Sequence, residues 1–162
     1  MLRIIVFCFI MLAIPLLAWA ECTDCPGSGK GEARCSCSEF HRYQGSAELQ
    51  AFHVVIKAES NCAKGFALAF RNDRGRKVCE LALNGPHAGE QAFDLHLETT
   101  VPAASIRQAV LINSTSNDVK ITYMKVTGIL SDGEFVYFEK ECPGVVIGAQ
   151  GCPRMVLYEG DK

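Results

Sequence analysis

The sequence predicts an all-β protein: an eight-stranded antiparallel β-sandwich preceded by a disulfide-rich N-terminal arm. From residue 48 onward, apolar and polar residues alternate with a period of two in a series of short segments, which is typical of strands with one buried face. Turn-forming residues separate these segments. No stretch after residue 20 has the pattern of a helix of three turns. About eight short strands at this spacing are typical of a sandwich or barrel.

The first 20 residues have the pattern of a secretory signal peptide. Arg3 is followed by an apolar run from Ile4 to Leu17, and "AWA" at 18–20 has small residues at the two positions that signal peptidase recognises. An uncleaved membrane anchor is the alternative, because the run is only slightly shorter than a spanning helix. Pro15 and the small residues favour cleavage after Ala20. We therefore expect a secreted, extracellular protein.

Cleavage would leave 162 − 20 = 142 residues, enough for one domain with its own core. The loss of Arg3 changes the balance to 15 basic and 18 acidic residues, a net charge of −3. This charge gives no reason to expect nucleic acid as a partner. The predicted organisation is a signal peptide at 1–20, a cysteine- and glycine-rich arm at 21–39, and the sandwich at 40–162.

Eight of the nine cysteines would remain after cleavage, because Cys8 lies in the signal peptide. An even number in an exported chain indicates disulfides, although the pairing stays open. Proximity suggests Cys142 with Cys152, a bridge worth about 2–3 kcal/mol if unstrained, and Cys62 with Cys79 across a hairpin. The disulfide candidates are Cys22, Cys25, Cys35, Cys37, Cys62, Cys79, Cys142 and Cys152.

The arm, "CTDCPGSGKGEARCSC" at 22–37, matches C-x-x-C-x-G-x-G and resembles the zinc-binding repeat of DnaJ-type chaperones. Its four sulfurs could hold one zinc, but an oxidising compartment favours disulfides. A phosphate-binding P-loop is excluded, because Asp24 and Gly31 stand where that motif needs glycine and Ser or Thr. A thioredoxin-type site lacks its βαβ context. We assign no metal and no cofactor to the arm.

The strand segments follow one another in a regular series. In "AFDLHLE", the clearest case, large apolar residues alternate with polar ones. The segments are "AFHVVIKA", "GFALAFR", "KVCELAL", "AFDLHLE", "IRQAVLI", "VKITYMKVTGI", "EFVYFEK" and "RMVLYE". The turns between them include "NDRG" at 72–75, "NGP" at 84–86 and "SDG" at 131–133.

Two surface features are candidates for function. The segment "RNDRGRK" concentrates basic residues around a turn, either as a solvated hairpin tip or as a contact for phosphate headgroups or an acidic partner, worth about 1 kcal/mol per basic residue. These residues are Arg71, Arg74, Arg76 and Lys77.

Asn113 begins an N-glycosylation sequon that a loop between strands is expected to present, making the protein a glycoprotein in a eukaryotic source.

Catalytic motifs are missing from the sequence. It contains neither G-x-S-x-G nor H-E-x-x-H, and its four histidines lack metal-ligand spacing. His96 lies between Asp94 and Glu98 on the face of a strand that we expect to be exposed to solvent. Three solvated side chains are the favoured interpretation of this pattern, and an acidic metal-binding patch is the alternative. We therefore expect that the protein is not an enzyme.

Over about residues 50–142 the chain resembles a PLAT domain, the β-sandwich of lipoxygenases and of the pancreatic-lipase C-terminus. The residues that carry the resemblance are, in order, Lys64-Gly65-Phe66, Gly75, Phe93-Asp94, Ile121 to Val126, Gly133, Phe135, Phe138 and Cys142. The resemblance implies an eight-stranded sandwich that mediates membrane, lipid or protein contact without catalysis of its own. Some members bind calcium in loops at one end, so calcium is possible, although no ligands are assigned here.

These observations predict a secreted, disulfide-stabilised, non-catalytic binding module that contacts a lipid or membrane surface or an extracellular protein. The alternative is a secreted cysteine-rich toxin or effector that acts on a host or prey receptor or channel. In that case the arm, with Lys30, Arg34 and Arg42, would form the contact surface. A lectin is less favoured, because the chain after residue 20 has four tyrosines and no tryptophan for sugar stacking.

Overall fold

A computed structural model describes residues 32–34, 40–59, 66–83, 87–114, 117–148 and 154–158. Within these ranges the chain forms nine strands and a one-turn 3-10 helix, Ala103–Ser105. The strands are β1 Glu32–Arg34, β2 Glu48–Ala58, β3 Phe66–Arg71, β4 Lys77–Leu83, β5 Gly89–Pro102, β6 Gln108–Asn113, β7 Val119–Leu130, β8 Gly133–Ile147 and β9 Arg154–Tyr158. A membrane-spanning helix is not found in this part of the chain.

The strands form two sheets, with five strands in the order β1-β9-β6-β3-β4 and four in the order β5-β2-β7-β8. All eight predicted segments are strands, namely β2 to β9, so the all-β prediction is confirmed. The count differs, because the described residues hold nine strands. The additional strand, β1, lies in the predicted arm and pairs with β9 in parallel, unlike the antiparallel pairs of the other strands. Three residues, Glu-Ala-Arg, are too few to show a period of two.

The core lies between the two sheets. On β2, the side chains of Phe52, Val54 and Ile56 are fully buried, as their alternation predicts. The rings of Phe52 and Phe70 stack across the sandwich, with centroids 3.8 Å apart and planes within 2° of parallel. Burial of such a side chain contributes about 1.5–3 kcal/mol, so this pair is a main link between the sheets.

Tyr137 breaks the alternation of β8. A register shift opposite Val126 and Thr127 leaves Tyr137 next to Phe138 with both rings fully buried. The Tyr137 hydroxyl donates a hydrogen bond to the Ala103 carbonyl oxygen at 3.0 Å, and burial raises the pKa of that hydroxyl. The ring needs a glycine beside it, because a Cβ on Gly128 would lie 2.6 Å from the Tyr137 Cε2 atom. The bulge thus gives the core a large ring with its one polar atom paired.

The antiparallel strand order places four connections at each end of the sandwich. One end, here named the basic end, carries residues 40–47 and the connections 72–76, 103–107 and 131–132. Residues 40–47 are held there by a hydrogen bond from the His41 amide to the Tyr137 carbonyl at 2.7 Å and by stacking of Phe40 on Tyr137. The connections after β2, β4, β6 and β8 lie at the opposite end. The fold therefore brings sequence-distant loops together at the basic end.

Candidate functional site

The turn between β3 and β4 is held in one conformation by the side chain of Asn72. Its Oδ1 atom accepts hydrogen bonds from the backbone amides of Arg74 and Arg76, both at 3.0 Å. The Gly75 amide donates to the Asn72 carbonyl at 3.0 Å. Gly75 has a φ of 70°, a left-handed conformation that favours glycine. Hydrogen bonds thus fix the backbone of the predicted "NDRG" turn, which carries basic residues.

The predicted basic residues of this turn differ in their pairing. Arg74 and Arg76 are exposed and Arg71 is half-buried. Among the residues that the structure describes, none of these three guanidinium groups forms an ion pair. Lys77 is different, because its Nζ atom lies 2.9 Å from the Glu80 Oε2 atom. The three arginines therefore carry the uncompensated positive charge.

Arg107 joins this group, although no local sequence pattern identifies it. Its backbone amide donates a hydrogen bond to the Arg71 carbonyl oxygen at 2.9 Å, which places the β5–β6 connection beside the turn. Within the described residues, the Arg107 Nη1 atom is buried and has no hydrogen-bond partner. Five basic residues in this group, less Asp73 and Glu80, give it a local charge of +3. The backbones of Arg71 and Arg107 are thus adjacent, and the two connections together carry net positive charge at this end of the sandwich.

The outer face of the four-stranded sheet carries the predicted polar alternation of β5. Asp94, His96 and Glu98 are all exposed there, and the His53 Nδ1 atom lies 2.7 Å from the Asp94 Oδ1 atom. In the described ranges no group of three His, Cys, Asp or Glu side chains is placed to hold a metal ion. The face is a solvated polar surface.

Cys79 lies on β4 opposite Phe70, half-buried against the core. In the structure it is a free thiol, whereas the sequence makes it a disulfide candidate with Cys62. Because Cys62 lies outside the described residues, that pairing stays a prediction. The side chains of the other six candidates, Cys22, Cys25, Cys35, Cys37, Cys142 and Cys152, also lie outside the described part of the chain.

The Cys79 thiol is expected to resist alkylation in the folded protein. Burial raises its pKa to about 11, so at about pH 8 it should react about 100-fold more slowly than an exposed cysteine, since the thiolate is the nucleophile. The buried neutral thiol contributes to the stability of the folded protein. This contribution is fully present below the pKa that the thiol has in the unfolded chain, and it is lost as the pH rises through about 11. Iodoacetamide labelling followed by peptide mass analysis measures the rate. Labelling that still fails in denaturant, and appears only after reduction, would show Cys79 in a disulfide instead.

Asn113 is the last residue of β6 and is 3% exposed. Its Nδ2 atom donates hydrogen bonds to the carbonyl oxygens of Asn117 and Ile147, both at 2.8 Å. The expectation that a loop presents this asparagine is therefore wrong, because its amide is needed inside the fold. A glycan would replace one of the two donated hydrogens. Glycosylation at this sequon stays a prediction.

Comparisons with known proteins bear on the fold. No family model and no curated protein sequence matches the chain. Among solved structures, alpha toxin from Clostridium absonum matches with a TM-score of 0.53 and 18% identity over 67% of this chain and 32% of the toxin chain. A calcium-dependent 11R-lipoxygenase matches with a TM-score of 0.42 and 12% identity over 69% of this chain and 17% of the enzyme. The chain spans about a third of the length of the toxin and less than a fifth of the length of the lipoxygenase. The sandwich is PLAT-like in fold, as the sequence predicts.

Proposed function

We propose that this PLAT-like sandwich is a secreted, non-catalytic binding module that contacts anionic lipid surfaces through its basic end. The observation that supports the proposal most directly is the braced turn with three arginines, Arg71, Arg74 and Arg76, that have no acidic partner among the described residues. The PLAT resemblance adds a class of domain that works by surface contact. It brings no catalytic group of its own.

The geometry of the turn suits such a contact. Because the Asn72 side chain already holds the backbone, little conformational entropy is lost when the turn meets a surface. Each basic residue near an anionic membrane contributes about 1 kcal/mol, and the attraction weakens beyond the Debye length. Lys77 contributes less than the arginines, because Glu80 neutralises it. Binding through this end should therefore depend on salt.

Changing Arg71, Arg74 and Arg76 together to glutamine should weaken binding to anionic vesicles by about 100-fold, since about 1 kcal/mol is lost at each position. Co-sedimentation with phosphatidylserine-containing and purely phosphatidylcholine vesicles measures this, with calcium and with a chelator. Lys57→Gln is the matched control, because Lys57 is exposed on the outer face of the other sheet. Equal binding to both vesicle types, or a triple variant that binds like the parent, would contradict the lipid proposal.

A protein partner is a distinct outcome of the same experiment. The parent chain could fail to bind vesicles and yet bind an acidic extracellular protein, with lower affinity in the triple variant. In that case the basic end is the contact surface and its partner is a protein. The alternative function as a toxin or effector that acts through residues 21–39 stays a prediction. All but β1 of that segment lies outside the described residues.

A further inference from the structure

We propose that two copies of this chain pair edge to edge through β5, antiparallel to each other about a two-fold axis at Phe93. The four-stranded sheets of the two copies would then form one continuous sheet of eight strands. The proposal goes beyond the lipid-binding function and does not depend on it, because the edge of β5 and the loops of the basic end are different surfaces.

The core is incompletely covered on the side of the sandwich where β4 and β5 lie close together. On the opposite side, the inward side chains of β8 and β9, such as Phe138 and Met155, are fully buried. On the β4–β5 side, the apolar side chains that pack against the core are only half-buried, namely Val78, Cys79, Leu81, Phe93, Leu95 and Leu97. Apolar surface therefore remains there for a partner to cover, which favours association.

Strand β5 is an open edge. Within the described residues its only strand neighbour is β2, so one row of its backbone donors and acceptors faces away from the sheet. Over residues 89–96 it pairs with β2 at eight successive positions without a register shift, and no residue of this stretch is fully buried. The stretch contains no lysine or proline, residues with which edge strands commonly block pairing. Such a regular and accessible edge is suited to adding another strand.

The other edges of the two described sheets are shorter or interrupted. Strand β1 has three residues. Strand β4 has a register shift beside Lys77, which forms an ion pair with Glu80. Strand β8 is long, but two register shifts interrupt its pairing with β7 and Pro143 lies within it. Strand β5 is therefore the edge that pairs most readily.

The charges of β5 favour a second copy of the same strand as the partner. Opposite residues of an antiparallel pair lie on the same face, so a two-fold axis must pass through a residue of the strand. An axis at Phe93 brings the two Phe93 side chains together. It also places Glu90 opposite His96 of the second copy, and Ala92 opposite Asp94, each twice. No two carboxylates then face each other.

Neighbouring registers are less favourable. An axis one residue earlier would place Glu90 opposite Asp94, and an axis one residue later would place the two Asp94 carboxylates opposite each other. Like charges in such positions are destabilising. An axis nearer either end would shorten the paired stretch, because the strand begins at Gly89 and its register with β2 shifts beyond His96. Charge and length together therefore favour the axis at Phe93.

Sedimentation equilibrium of the purified full chain, at a series of protein concentrations, measures the dissociation constant of the dimer. We expect a reversible dimer. Ala92 is the position to change, because it is exposed and would face Asp94 of the second copy. Ala92→Lys should lower the dissociation constant and Ala92→Asp should raise it, each by between about twofold and thirtyfold, since the cross-strand charge pair occurs twice.

Val146→Lys and Val146→Asp are the matched controls, because Val146 is exposed on β8 at the other edge of the same sheet. Both should leave the dissociation constant unchanged. Urea unfolding at a concentration where the chain is monomeric checks that the Ala92 variants are folded. Hydrogen exchange is a second measurement: amides of β5 should exchange more slowly above the dissociation constant than below it, whereas amides of β8 should not change.

A parent chain that stays monomeric at every concentration would overturn the proposal. So would a dimer whose dissociation constant follows the charge at Val146 rather than at Ala92. Weakening by both Ala92 variants would show Ala92 opposite itself, and the reverse order of effects would show it opposite His96, so either result would overturn the axis at Phe93. Because the basic end plays no part in these measurements, the lipid-binding function is decided separately by vesicle co-sedimentation.

Discussion

Replacing Phe52 with alanine is expected to lower the free energy of unfolding by about 3–5 kcal/mol. The ring is fully buried, stacks on Phe70 with centroids 3.8 Å apart, and lies 6.0 Å from the ring of Tyr137. Its removal takes away the transfer free energy of the ring and leaves a cavity between two sheets that cannot easily approach each other. Typical domains have a total stability of about 5–15 kcal/mol. Urea denaturation monitored by circular dichroism measures the change.

Val146→Ala is the control for Phe52→Ala. Val146 lies on β8 and is the exposed large hydrophobic residue of the described chain, at 38%. A substitution at such a position should change stability by no more than about 0.5 kcal/mol. If the two variants unfolded at the same urea concentration, the Phe52–Phe70 contact would not link the sheets.

Asn113→Ala is expected to lower the free energy of unfolding by about 2–6 kcal/mol, because two carbonyl oxygens lose their hydrogen bond and each such loss costs about 1–3 kcal/mol. The Nδ2 atom of Asn113 serves the carbonyl oxygens of Asn117 and Ile147, so it connects the end of β6 to the next turn and to the end of β8. Asn113→Asp should be worse still, because a carboxylate would face two carbonyl oxygens as a third acceptor. Thermal and urea unfolding measure both changes.

Thr115→Ala is the matched control, since it removes the sequon while Asn113 keeps its amide. It should unfold like the parent if the asparagine acts through its hydrogen bonds. If Thr115→Ala destabilised the protein expressed through a eukaryotic secretory pathway as much as Asn113→Ala does, an attached glycan would be responsible instead, and the hydrogen bonds of Asn113 would not explain the loss of stability.

Most of the fold could be predicted from the alternation of side chains. Strands β2 and β5 show a period of two most clearly, and the residues of β2 and β3 that alternate as apolar are buried in the core. Strands β6 and β9 instead contain runs of three buried apolar residues. Local pattern suffices there because burial of one sheet face imposes it directly. The basic turn was predictable in the same way, since Asn, Asp and Gly are local turn formers.

Other features depend on contacts that no local pattern encodes. Arg107 lies 36 positions after Arg71, and only the pairing of β3 with β6 brings them together. Tyr137 is buried out of phase because of a bulge, which depends on the partner strand and on the space beside Gly128. Asn113 begins a glycosylation sequon, a motif expected at the surface, but in the fold its side-chain amide donates hydrogen bonds to two carbonyl oxygens. In each case a long-range contact decides the role of the residue.

The pairing of β1 with β9 has a consequence for how the protein is made. Glu32 and Arg154 are Cα partners although 122 positions separate them, so the edge of the five-stranded sheet joins the earliest and the latest described strands. Closing so long a stretch of chain is entropically costly and slow. Until the final strand has left the ribosome, β6 lacks its β9 neighbour and the sheet stops at an open edge. Completion of this domain should therefore wait for the synthesis of β9, and the nascent chain needs protection from strand-edge aggregation until that strand is available.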